Sequence, residues 1–177
     1  VDKEISEANE TFARVYDSRP ETYEHIAKVR GYLMNAAVML LRRAHAHDQS
    51  KLEPPELETF DEFTPKLKDA VYGSPEYKGF LEAMAPALAH HYAANSHHPE
   101  HYTNGVRGMD LLDLLEMVCD WTAASERTKD GDLARSLGQN QERFGYGDEL
   151  AGVIENTARS LGFLNHTGDL PKGSPPK

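Results

Sequence analysis

Three features are missing from this chain: a disulfide framework, a long apolar run and any useful stretch of alternating apolar and polar residues. One cysteine, Cys119, is present, which excludes internal disulfides. Its apolar flank of Met117, Val118 and Trp121 leads us to expect a buried thiol in a reducing compartment. No apolar segment approaches the ~18 residues of a membrane helix, so a membrane partner is not expected. The chain opens at Val1 with no basic and then apolar segment, so no signal peptide is visible, although without an initiator Met an N-terminal part could have been removed. The cytoplasm is the expected location. Positive charge is also scarce, with 19 Lys and Arg against 29 Asp and Glu and a net charge of -10. Without a basic stripe to displace condensed counterions, duplex nucleic acid is excluded as a partner.

What is present is helical periodicity. A chain of 177 residues amounts to about one domain, able to bury roughly 70% of the surface its unfolded form exposes. Val29, Leu33, Ala36, Leu40 and Ala44 recur at helical spacing, and Arg42 and Arg43 fall near the end that favours cations, so 21–46 reads as one amphipathic helix or a pair. Ser74 and Pro75 form a good helix start for a stripe that runs Phe80, Met84, Leu88 and His91, with Asn95 as the stop. Residues 109–127 form a strong helix whose apolar arc is wide enough for the middle of a bundle. Further helices are expected near 131–143 and 148–161. Pro54, Pro55, Pro65 and Gly73 break 49–73 into short helices or loops. The fold class is therefore all-α, a helical bundle over 21–162, with an N-terminal helix or extension at 1–20 and a flexible tail at 163–177.

The chemistry lies in the order His25, His47-Asp48, His91, His97-His98-Pro99-Glu100-His101 and Asp120. Imidazole and carboxylate are the ligands of a divalent transition metal, and this set suits one or two ions of Mn, Fe, Co or Zn rather than magnesium, which favours an all-oxygen shell. His47-Asp48 closes a helix, where the pair can ligate one ion or bridge two; a helix that simply ends in polar residues is the alternative. His91 continues an apolar stripe and, taken alone, is an ordinary core histidine. His97, His98 and His101 crowd imidazoles that repel one another once protonated, unless a metal or carboxylates hold them. Asp120 shares a stripe with Asp110, Asp113 and Glu116, either a solvated acidic face or the wall of a cleft where a cation compensates it. Lys51, one turn after Asp48, can meet a phosphate oxygen, and Arg143 can clamp one. Glu100 is a candidate proton shuttle. Trp121 and Tyr92 are core residues or stacking surfaces for a base.

These residues resemble those of the HD-domain metal-dependent phosphohydrolase superfamily. More closely, His47-Asp-Gln-Ser-Lys51, the stretch from His91 to His101 and Glu116-Met-Val-Cys-Asp-Trp121 are similar to an uncharacterised HD-like family found in phage and bacterial genomes, over about residues 20–162. The resemblance implies an HD-type helical bundle in a bacterial or phage-infected cell. It also implies that His25, His47, Asp48, His91, His97, His98 and Asp120 hold the ions, and that a metal-activated water attacks a phosphate ester. His25 departs from the pattern. Only 22 residues (47 − 25) separate it from His47, and a continuous helix of that length puts them roughly 33 Å apart. A break at Gly31 or Asn35 is needed for His25 to share an ion.

The expected function is metal-dependent hydrolysis of a small phosphorylated substrate, a nucleotide by preference, with Asp48, Lys51 and Glu100 catalytic and Lys51 and Arg143 binding substrate. An acidic chain attracts such an anion only if its ions supply the positive field. Two other classes use the same scaffold: an HD-type di-iron oxygenase, and a non-catalytic metal- or nucleotide-binding module. A homo-oligomer is compatible with either.

Overall fold

A computed structural model of the protein describes residues 16–71, 73–127 and 131–164. The expected extension at 1–20 and tail at 163–177 lie mostly outside these residues. Among the described residues there is no strand, and the architecture is all-α, as the periodicity predicts. No described helix is long and apolar enough to cross a membrane. The contacts define two compact units, Val1–Arg42 and Arg43–Lys177, which divide within the first helix.

That helix, α1 (Arg19–Ala46), is a single helix of 28 residues. Pro20 is tolerated in its first turn, and neither Gly31 nor Asn35 interrupts it. It contains no buried residue. After its end the chain forms a short 3-10 turn over Gln49–Leu52.

α2 (Leu57–Asp69) corrects the sequence reading, because it continues through Pro65. An internal proline costs about 3 kcal/mol, but Phe60, Phe63 and Leu67 recur on one half-buried stripe, and burying that stripe offsets the lost backbone bond. The opposite correction applies to 75–94. The expected single helix is two, α3 (Pro75–Ala83) and α4 (Ala85–Ala94), separated at Met84. Pro86 lacks the N–H that a continuous helix requires. The inward stripe survives the break, since Met84 and His91 are both buried.

The loop after α4 winds through 3-10 turns at Pro99–His101 and Gly105–Gly108. α5 (Leu111–Ser125) then starts from a reciprocal cap: Asp110 accepts from the backbone N–H of Leu112 and Asp113, and the Asp113 side chain accepts from the Asp110 N–H. α6 (Leu133–Phe144) ends at Gly145, whose φ of 64° suits glycine, and α7 (Asp148–Ser160) follows. The main apolar core gathers Met117 and Val118 of α5, Leu133 and Leu137 of α6, and Ile154 and Ala158 of α7. Trp121 belongs to this packing and stacks on Phe144 at 6.0 Å. Cys119 overturns the buried-thiol expectation, because it is exposed. At 100° per residue it turns away from the core as Met117 and Val118 turn in.

Candidate metal centre

Four stretches of the second unit supply one cluster. His47 and Asp48 follow the last turn of α1, His91 lies in the last turn of α4, His97 and His98 come from the loop, and Glu116 and Asp120 stand one turn apart on α5. Asp48 has φ 55° and ψ 15°, the single positive φ among the described non-glycine residues. Aspartate is one of the few side chains that tolerate this left-handed conformation.

The Asp48 Oδ1 atom lies 3.4 Å from His91 Nε2 and 3.6 Å from His97 Nε2. His91 Nε2 is in turn 2.9 Å from His98 Nε2. Metal–ligand bonds of about 2.0–2.2 Å separate neighbouring ligand atoms by about 3.0 Å in an octahedron and about 3.4 Å in a tetrahedron. The four atoms are thus spaced like the corners of one coordination sphere. A second group shares the same aspartate: His47 Nε2 is 3.6 Å from Asp48 Oδ2 and 3.8 Å from Asp120 Oδ1. His47, His97 and Glu116 form a third overlapping group. These residues could hold a metal ion.

Hydrogen bonding decides which imidazole nitrogens are free. A carboxylate only accepts, so a ring nitrogen bonded to one carries the proton. His91 Nδ1–H donates to Glu56 Oε2 at 2.9 Å, and Glu56 is fully buried. His47 Nδ1–H donates to Glu116 Oε1 at 2.9 Å, and His97 Nδ1 lies 3.2 Å from the same oxygen. In His91 and His47 the Nε2 lone pair is left for the centre, the usual arrangement behind a metal-ligating histidine. Glu116 is held from its other oxygen by Arg43 Nε at 2.6 Å. Arg43 also donates to Asp113, which accepts further bonds from Ser96 and Tyr102. The histidine loop, the end of α1 and α5 are therefore joined by one partly buried charged network.

Electrostatics follows from burial and from these pairs. Desolvation holds His91 and His97 below the ordinary imidazole range, and it drives His98 down to about 3, helped by the neighbouring His97 and His91. Burial works against the Asp48 carboxylate, but Lys51 outweighs it and keeps Asp48 below its usual range. Burial likewise opposes Asp113, yet Tyr102, the Asp110 N–H, Ser96 and Arg43 take it down to about 2. At neutral pH these shifts leave His91, His97 and His98 neutral beside an ionised Asp48, which is the protonation state metal binding requires. Among the described residues, Asp48 Oδ1 and His97 Nε2 are the buried side-chain atoms with no hydrogen-bond partner. Both point to the fit of a cation.

Of the residues singled out in the sequence, His47, Asp48, His91, His97, His98 and Asp120 come together. His25 does not join these groups, and the break at Gly31 or Asn35 that it needs is absent from α1. Lys51 reaches the cluster, with Nζ 2.6 Å from Asp48 Oδ2. Glu100 and Arg143 pair with each other at 2.7 Å, beside Tyr92, whose ring lies 5.1 Å from that of His98. His101 pins the loop by bonding the Tyr92 carbonyl at 2.8 Å. Glu56 and Arg43 are site residues that the sequence reading missed. Nothing local distinguishes Glu56 from any other acidic residue after prolines. Glu116 was visible only as a member of the acidic stripe, although its i−4 spacing from Asp120 puts both on one face.

The chain is thus all-α among the described residues and carries a histidine–carboxylate cluster that could hold a metal ion. The family model that matches is that of a family of unknown function (DUF5662), over residues 14–162, and the chain belongs to that family. No curated protein and no solved structure gives a match.

Proposed function

We propose that the protein is a metal-dependent phosphohydrolase of the HD type, acting on a small phosphorylated substrate such as a nucleotide. The observation that carries this reading is the meeting of His91, His97 and His98 Nε2 with Asp48 Oδ1, where two of those four atoms are buried and otherwise unpartnered. Three imidazole nitrogens and a carboxylate select Zn, Fe, Mn or Co over Mg or Ca. The two Asp48 oxygens face different groups, Oδ1 toward His91 and His97 and Oδ2 toward His47, so a pair of ions sharing Asp48 fits the donor arrangement. A divalent ion bound there supplies Lewis acidity, neutralising phosphoryl oxygens and acidifying water.

The protein's own groups do the rest. Glu56 and Glu116 hold the ring tautomers. Lys51 has a side chain that is 29% exposed, and it can swing from Asp48 to a phosphoryl oxygen, which favours an anionic substrate despite the acidic chain. Arg143, now paired with Glu100, offers a second cation at the histidine loop. The test is a panel of nucleotides and phosphate esters assayed with Mn²⁺-loaded protein. Release of phosphate, pyrophosphate or triphosphate that disappears in Asp48→Asn supports the reading. No release from any substrate opposes it and favours the oxygenase or the binding module.

A further inference from the structure

Asp113 of α5 joins none of the groups that could hold an ion, yet it collects donors on both carboxylate oxygens. Its Oδ1 atom accepts from Arg43 Nη2 at 2.5 Å and from the Ser96 hydroxyl at 2.7 Å. Its Oδ2 atom accepts from the Tyr102 hydroxyl at 2.6 Å and from the Asp110 N–H at 3.0 Å. The side chain is 3% exposed, so these donors rather than water satisfy it. Capping α5 accounts for the Asp110 bond alone; the other three tie in the end of α1 and the histidine loop. Tyr102 is itself seated on Gly108, where a Cβ would stand 2.7 Å from the Tyr102 Cβ, so only glycine lets the backbone come that close.

Two routes lead from this junction to His97. Ser96 directly precedes His97 in the chain, so its bond to Asp113 fixes the backbone that carries the ring. The second route runs through Arg43, whose Nη2 bonds both Asp113 and Ser96 while its Nε bonds Glu116 Oε2 at 2.6 Å. The other Glu116 oxygen accepts from His47 at 2.9 Å and lies 3.2 Å from His97 Nδ1. A guanidinium anchored at one nitrogen pivots, whereas one anchored at two holds its plane and the carboxylate in front of it. On the reading of the cluster as a metal centre, we infer that Asp113 is its positioning residue, fixing His97 from the backbone side through Ser96 and from the ring side through Arg43 and Glu116. The affinity of the centre then depends on a carboxylate that never touches the ion.

The test takes two readouts on the full chain: Zn²⁺ affinity by competition with a chelating dye, and the ring-nitrogen NMR shifts of His97 in metal-free protein. Asp113→Asn keeps the shape but turns one oxygen into a donor, which faces either Arg43 or the Asp110 N–H, and neither can accept. Zn²⁺ affinity should fall about tenfold, the low end for groups that support metal ligands, and the His97 signals should move. Asp110→Ala removes the other half of the helix cap, the bonds to the Leu112 and Asp113 N–H, and should leave both readouts at wild-type values. Where Asp113→Asn does not fold, Ser96→Ala opens one route only and should weaken Zn²⁺ roughly fivefold, the size of one net hydrogen bond, again with the His97 signals moved. A folded variant that leaves either readout unchanged, or a loss in Asp110→Ala equal to that in Asp113→Asn, overturns the inference. A wild type that takes up no Zn²⁺ defeats the metal reading instead, and the His97 signals of the metal-free variants then decide the positioning role by themselves.

Discussion

Asp48 Oδ1 and His97 Nε2 face each other across 3.6 Å, and each is buried without a hydrogen-bond donor. His97 Nδ1 lies 3.2 Å from Glu116 Oε1, and a proton held there would leave both facing atoms with lone pairs. Two buried acceptors in contact repel, and each also forfeits its hydration. His91 and His98 pose the same problem differently, since two imidazole nitrogens 2.9 Å apart share either a proton or a cation. A single positive ion would satisfy all four atoms, which is why the proposed metal centre is placed at this cluster rather than along the acidic stripe of α5.

Glu56 should matter although it touches no substrate. Its carboxylate orients His91 from the far side and also binds His90 Nδ1 at 2.7 Å. In Glu56→Gln one amide oxygen cannot serve both rings as an ionised carboxylate does, and metal affinity should fall roughly 10- to 100-fold. Competition with a chelating dye measures it. An unchanged affinity would remove Glu56 from the account.

Lys51 separates binding of substrate from binding of metal. Lys51→Ala should lower kcat/KM for a phosphorylated substrate by roughly ten- to a hundred-fold, the size of one charge-assisted hydrogen bond, while metal content is retained. If kcat/KM holds and only the metal content changes, Lys51 is merely a counter-ion to Asp48.

The parts of the site legible in sequence were those whose residue type is itself the signal. Histidine is uncommon and ligates, so His47, His91, His97 and His98 could be singled out, and the His91 stripe correctly faced inward. Glu56 and Arg43 could not be found in this way. Their roles come from tertiary contacts 34 to 73 residues apart in sequence, and acidic or basic residues at helix ends usually have ordinary solvated roles. Helix existence was legible from period; helix limits were not. A helix ends before Pro86 while another runs through Pro65, a difference that the presence of proline alone does not predict. Cys119 shows the same limit, since an apolar neighbourhood in sequence says little about which way one residue of a helix points.

The buried histidines give the metal-free protein a defined pH response. His91, His97 and His98 have folded-state values below the unfolded imidazole value of about 6.5. Below that pH the unfolded chain binds protons that the folded chain refuses, so stability falls as pH falls. Asp113, held at about 2 in the fold, acts in the same sense only at lower pH, below its unfolded value of about 3.9. The Tm of metal-free protein should therefore drop between about pH 7 and pH 5, before any carboxylate contribution. A Tm that is flat or rises over that interval would contradict the burial of neutral imidazoles.

The most direct measurement is the metal content of the full chain, by elemental analysis and calorimetric titration with Mn²⁺, Fe²⁺, Co²⁺ and Zn²⁺, for the wild type and Asp48→Asn. Asparagine keeps the left-handed backbone that Asp48 adopts, so this variant removes the charge without straining the turn. The account requires one or two ions per wild-type chain and loss of most of that binding in the folded variant. A wild-type chain that takes up none of these ions, or a variant that binds them as tightly as the wild type, would contradict it.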